Sequence, residues 1–185
     1  MREWKEKRGT MRHYDLQAAI YNVQYLGEQD AKIDDILKSI DFESNDVVLD
    51  LGCGTGFLFR HINKQVGLLV GVDLSRKALQ EAKERTKNLS NVVLVRADAD
   101  NMPFPDRTFD KIFAITLLQN MPNALRTVSE MKRAAKPQAI FAVTGLKQKF
   151  TQESFLDLLE KAQLKIVTLG MNQQLKGYVA VCTNS

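Results

Sequence analysis

The 185-residue sequence predicts an α/β fold with a mostly parallel sheet finished by an antiparallel C-terminal hairpin. Three observations predict it. Short, nearly continuous apolar runs rich in β-branched residues alternate with stretches of helical spacing, the pattern of a parallel sheet covered on both faces. A glycine-rich turn follows the first of these runs directly. The last two runs have no helix between them, so they can only pair antiparallel.

Strands are expected at 46–51, 67–73, 91–97, 109–116 and 139–144, and helices at 57–64, 75–87 and 122–135. Ala78, Leu79 and Ala82 share one face of the second of these helices. Leu125, Val128 and Met131 follow an i, i+3, i+6 line along the third. Ser75 and Thr151 are placed as N-caps, and Pro122 suits a first-turn position. A helix at 151–163 leads to a strand at 164–169, a turn holding Gly170 and Gly177, and a last strand at 178–182. Ahead of the first strand, Leu16/Ala19/Ile20/Val23 and Ile33/Ile36/Leu37/Ile40 repeat with helical spacing. They predict two amphipathic helices, or one helix bent near Gly27.

Hydrophobic residues at 44% and charged residues at 26% describe a soluble globular chain. The longest apolar run, 66–72, is too short to span a membrane, no secretory leader is expected, and a cytoplasmic location follows as the default. Cys53 and Cys182 give neither a disulfide framework nor a zinc site, and no metal is expected. The net charge of +4 is unevenly spread: Arg2, Lys5, Lys7, Arg8 and Arg12 against Glu3 and Glu6 give the first twelve residues +3. Residues 1–12 are therefore expected as a basic, flexible arm. The rest, 13–185, is expected as one domain: N-terminal helices at 13–42, a ligand-binding core at 46–145, and a closing helix and hairpin at 151–185.

The chemistry is concentrated in Val47-Val48-Leu49-Asp50-Leu51-Gly52-Cys53-Gly54-Thr55-Gly56, a strand entering a glycine turn before a helix. Glycines there let a ligand approach the backbone and permit positive φ. Asp73 ends the next strand about twenty residues on, where a carboxylate can accept hydrogen bonds from ribose hydroxyls. Together these predict an adenosine-containing ligand on a Rossmann-like half. The dinucleotide fingerprint needs a third glycine where this chain has Phe57, so NAD is disfavoured.

Four ordered blocks carry a family resemblance: Asp-Leu-Gly-Cys-Gly-Thr-Gly (50–56), Gly-Val-Asp-Leu-Ser (71–75), Arg-Ala-Asp-Ala (96–99) and Pro-Phe-Pro-Asp-Arg-Thr-Phe-Asp (103–110). With the terminal hairpin they resemble the class I S-adenosylmethionine-dependent methyltransferases, especially the small group that includes the quinone-biosynthesis enzymes. The resemblance implies a Rossmann-like methyltransferase sandwich, S-adenosyl-L-methionine as cofactor and S-adenosyl-L-homocysteine as product. It implies that Asp50 and the loop Gly52, Cys53, Gly54 and Gly56 contact the methionine portion. Asp73 would bind the ribose, Leu74 would pack on the adenine, and Asp98 with the Ala99 backbone would face the adenine amino group. Thr116 and Leu117 would lie by the sulfonium. Read without the resemblance, Asp50 could serve only to cap the turn, and one of Asp98 and Asp100 is expected to be merely solvated. Cys53 reads as small packing, and His61 as a surface histidine.

Transfer of an activated methyl group needs orientation more than acid–base chemistry, and no catalytic dyad stands out. Residues 117–123 lack the Asn/Asp-Pro-Pro-Tyr/Phe motif that marks methylation of exocyclic amino groups and glutamine amides. Gln119 and Asn120 could hydrogen-bond a substrate or cap the helix that follows. His13, Tyr14 and Tyr21 are candidates for a lid or a weak base, or for plain helix packing. The basic arm, Lys147, Lys149 and Lys176 gather positive charge near one face beside Gln173 and Gln174. That favours a polyanionic acceptor such as tRNA or rRNA. With no long insertion to close over a small molecule, an open site is expected, suited to a macromolecule or to completion by a partner. Some relatives use a small zinc-ribbon activator subunit in that way. The alternatives are a small-molecule, quinone-type acceptor under a lid of N-terminal helices, and a non-catalytic cofactor-binding subunit.

Overall fold

The computed structural model describes residues 2–170 and 172–184, with side chains described at 3–12, 27–170 and 172–184. His13, Tyr14 and Tyr21 lie outside the described side chains. Helix α1 (Arg2–Leu37) precedes β1 (Val47–Leu51), α2 (Phe59–Ile62), β2 (Leu68–Asp73), α3 (Arg76–Thr86) and β3 (Val92–Arg96). Then come β4 (Phe109–Ala114), a 3-10 turn at Leu118–Asn120, α4 (Ala124–Ala134), β5 (Ala135–Leu146), α5 (Gln152–Lys161), β6 (Leu164–Leu169) and β7 (Gly177–Asn184).

The strands form one sheet in the order β3-β2-β1-β4-β5-β7-β6. Strands β1 to β5 pair parallel, while β7 runs antiparallel between β5 and β6, the expected terminal hairpin. Alternation along the strands sends side chains to two separate cores. Leu49, Leu51, Ile112, Phe141 and Val143 pack with Val128 and Met131 of α4 and Phe155 and Leu159 of α5. Val48, Leu69, Phe113 and Ala142 face the other way, onto Ile33 and Ile36 of α1 and Phe59 and Ile62 of α2. Each fully buried side chain of this size contributes about 1.5–3 kcal/mol. The order reverses direction at β1 and β4, and ligands bind beyond the carboxyl ends of such strands.

Several expectations need correction. Residues 2–12 are the first turns of α1 and not a separate arm, and of the two alternatives for the segment ahead of β1 the single helix is the one found, ending at Leu37. Pro122 stands outside α4: Asn123 is the N-cap, its side chain accepting from the Arg126 N–H at 3.1 Å. Leu125 is exposed, so the inward line of that helix is Thr127, Val128 and Met131. Strand β5 begins at Ala135, because Ala135 already pairs with Phe109 on β4. Ser75 and Thr151 are the N-caps they were expected to be, accepting from the N–H groups of Ala78 and Ser154.

Candidate functional site

Beyond the carboxyl ends of β1, β2 and β4 the chain forms a cleft, and α1 forms part of its wall. Asp50, Gly52, Cys53, Gly54, Asp73, Leu74, Asp98, Ala99 and Thr116 all line it, from segments spread over 66 positions of sequence. Gly56 does not. A Cβ there would come within 2.9 Å of the Phe59 ring, so this glycine serves the packing of the loop on α2.

The loop is built by local chemistry. The N–H groups of Gly52 and Cys53 both donate to the Val72 carbonyl, at 2.8 and 3.0 Å, which folds the turn back onto β2. Gly52, Gly54 and Gly56 have φ of 74°, 52° and 80°, in the left-handed region that glycine enters without steric cost. A Cβ on Gly54 would meet nothing within 4 Å: the backbone there faces open space in the cleft. Asp73 ties the parts together, accepting from the Gly54 N–H at 2.9 Å and the Ser75 N–H at 2.8 Å.

Asp50 is buried, with 4% of its surface exposed. Burial, and then the nearby charge of Asp73, push its carboxyl up to about 8. A carboxyl so placed stays protonated at neutral pH until a cation arrives to stabilise its charge. The Cys53 thiol is raised well above its ordinary value by burial and then by Asp50 and Asp73, which leaves it a packing group and not a nucleophile.

At one end of the cleft, the Lys7 ammonium of α1 donates to Asp98 at 2.6 and 2.9 Å and to Asp100 at 2.5 Å. Asp100 also accepts from the Thr127 hydroxyl at 2.5 Å. Neither aspartate is merely solvated, contrary to expectation. At the other end, Thr116 follows β4 with φ of 62°, rare for a β-branched residue. Surrounding groups hold it there: its N–H donates to the Thr144 hydroxyl at 2.7 Å. Its carbonyl accepts from the side-chain amides of Gln119 at 2.9 Å and Asn120 at 3.0 Å. Those two amides therefore fix the Thr116 peptide and do not cap α4; Asn120 also lines the cleft. The Gln29 amide and Lys32 ammonium of α1 lie 3.1 and 3.4 Å from the Thr116 hydroxyl.

Sequence reasoning missed Lys7, Thr10, Met11, Gln29 and Ile33, the residues of α1 that line the cleft. The i, i+3, i+4 spacing of Lys7, Thr10 and Met11 was the available signal, masked by the charges around it. These residues make α1 part of the cleft wall at both ends. His61 is no part of it and lies beside Asp30, which Arg60 also contacts. Among the described residues no cluster of His, Cys, Asp and Glu could hold a metal, and no helix is long and apolar enough to cross a membrane.

Comparison with known proteins agrees with the fold and the loop. The family described as a methyltransferase domain matches residues 42–178. A demethylmenaquinone methyltransferase of Staphylococcus saprophyticus is 36% identical over 105 residues, 55% of this chain and 45% of the relative. An uncharacterised protein of Methanocaldococcus jannaschii is 30% identical over 140 residues, 76% of this chain and 53% of that protein. The chain thus spans about half the length of these curated relatives. Among solved structures, a SAM-dependent methyltransferase of Aquifex aeolicus superposes with a TM-score of 0.80 at 20% identity, covering 92% of this chain and 98% of that one. A chain from the complex between the Haloferax volcanii Trm112 methyltransferase activator and a methyltransferase gives 0.81 at 17% identity, covering 92% and 97%.

Proposed function

Because the chain belongs to the methyltransferase-domain family, we propose that it transfers a methyl group from S-adenosyl-L-methionine to a small-molecule acceptor held beneath α1. The observation that carries this reading is the convergence of Asp50, Gly52 to Thr55 of the loop, Asp73 and Asp98 on one cleft at the switch point of the sheet. The residues present fit that cofactor. Asp50 is a buried carboxyl suited to a cationic amino group, and the open backbone at Gly54 leaves room for the methionine portion. Asp73 lines the cleft at the end of β2, where its carboxylate would accept from ribose hydroxyls. Asp98 would take the adenine amino group, sharing or leaving Lys7 as it does so.

The cofactor would supply a methyl group already activated by a positively charged sulfur. What the chain adds is placement. Thr116, fixed by Thr144, Gln119 and Asn120, sets the wall where the acceptor would meet that methyl group, and α1 lines the same cleft.

A small acceptor is favoured over RNA because α1 walls part of the cleft, and because Lys7, one of the basic residues of the N-terminal segment, is committed inside it. The similarity to demethylmenaquinone methyltransferases points the same way. A partner-assisted reading has one feature behind it: β3 is an open sheet edge with Val93 47% exposed, and a structural neighbour comes from an activator complex. The test is to incubate the purified chain with cell extract and methyl-labelled cofactor, then separate small molecules, RNA and protein. Label confined to small molecules is expected. Label in RNA would overturn the acceptor class, and incorporation that requires added extract protein would favour the partner.

A further inference from the structure

Resting on the methyltransferase reading above, we propose that the acceptor subsite binds a small organic oxyanion — a phenolate, enolate or carboxylate — through the Thr116 hydroxyl, with the Lys32 ammonium behind it. Thr116 lines the cleft, whereas the Lys32 side chain is only 4% exposed and reaches Thr116 Oγ1 at 3.4 Å. Gln29 Nε2 approaches the same oxygen at 3.1 Å. When Lys32 and Gln29 both donate to Oγ1, the hydroxyl's own hydrogen must point to another acceptor. The structure gives it one, Gln29 Oε1 at 3.2 Å, a neutral acceptor that an oxyanion in the cleft displaces. A charge-assisted chain then runs from Lys32 through Thr116 to the acceptor.

The charges nearby favour this. Glu28 Oε1 lies 3.3 Å from Lys32 Nζ and also accepts from the Lys176 N–H at 2.8 Å. The Lys176 side chain acts on Lys32 from the hairpin turn. Burial draws the Lys32 ammonium below its ordinary value, Glu28 opposing and Lys176 adding to the fall, so a new negative partner is gained at little competing cost. The strain at Thr116 fits too: a β-branched residue in the left-handed region persists only where surrounding groups fix it. An acceptor bound as its anion also brings no proton to remove, which accounts for the missing catalytic dyad.

The test loads the chain with S-adenosylhomocysteine and titrates 4-nitrophenol, reading the visible absorbance of the phenolate. The bound phenol should ionise at a pH at least about one unit below the free phenol. Lys32→Met should abolish that shift and weaken binding about tenfold or more, while Lys32→Arg retains most of both. Lys32→Gln, which keeps a donor without the charge, serves if the methionine variant fails to fold. The proposal is overturned if neutral 4-nitroanisole binds as well as the phenol, or if removing the Lys32 charge leaves phenolate binding and its shift unchanged. Failure to bind S-adenosylhomocysteine would instead sink the methyltransferase reading. Cofactor-product binding without phenolate binding sinks this inference alone.

Discussion

Helix α1 sends a lysine to each end of the cleft, and the two meet different company. Lys7 lies between Asp98 and Asp100, one cation against two carboxylates at 2.6 and 2.5 Å. Lys32 has one carboxylate, Glu28 at 3.3 Å, with a second cation, Lys176, acting on it from the hairpin. The first end is complete without a ligand, and anything that uses Asp98 has to share it with Lys7. The second sets a buried ammonium behind a hydroxyl, Thr116, that lines the cleft. In the reading proposed above, one helix thus braces the cofactor end of the cleft by an internal ion pair and equips the acceptor end for an external one.

Breaking the Lys7 pairing should have the largest effect. Lys7→Met leaves Asp100, whose side chain is 2% exposed, with only the Thr127 hydroxyl, and should cost about 3 kcal/mol. The urea midpoint should fall at unchanged slope, while S-adenosylhomocysteine binds more tightly because Asp98 no longer has to leave a cation. An unchanged midpoint would mean that α1 does not close this end.

Next in size is the pH dependence of Asp50. Its carboxyl is raised from 3.8 in the unfolded chain to about 8 in the fold, chiefly by burial and then by Asp73. A raised folded value makes its contribution fully present below about pH 4. That contribution is lost progressively as pH rises toward about 8, because the unfolded carboxyl ionises and the folded one does not. Asp50→Asn should flatten stability against pH across that window, and an unchanged slope would contradict the assignment. Asp110 and Glu130 work in the opposite sense. The Lys136 and Val47 hydrogen bonds outweigh burial at Asp110, and the Arg133 hydrogen bond leads at Glu130; both carboxyls fall below their ordinary values. Their contribution is lost as pH falls through the acid range.

Asp98→Asn keeps the shape of the cofactor end but removes its charge, and should weaken S-adenosylhomocysteine about tenfold in a calorimetric titration. Phenolate affinity at the Lys32 end should not follow; if it does, the two ends are not independent. The smallest effect belongs to Lys149, which is exposed. Lys149→Ala should change stability by less than about 0.5 kcal/mol and leave acceptor methylation intact. A polyanionic acceptor would instead lose affinity at low salt.

The sheet and loop were legible in the sequence because their causes are local. Alternation along β1 reports two covered faces, and glycines at 52, 54 and 56 mark positions that adopt positive φ. Serine at 75 and threonine at 151 cap helices wherever the chain turns that way. The α1 contributions had no such signature. Lys7 meets Asp98 across 91 residues, and Gln29 meets Thr116 across 87, so no periodic pattern ties them together. Charge misled as well: a net positive segment suits a solvated arm equally well, and only the presence of Asp98 and Asp100 beneath it turns Lys7 inward. The role of Gln119 and Asn120, holding a strained peptide, depends on a φ that sequence does not reveal.

The most direct test of the account is calorimetric titration of the purified chain with S-adenosylmethionine near pH 7, repeated in buffers of different ionisation enthalpy. Saturable one-to-one binding is predicted, with release of up to about one proton as the cationic amino group brings Asp50 to its charged form. No binding of S-adenosylmethionine, or binding of NAD in its place, would contradict it.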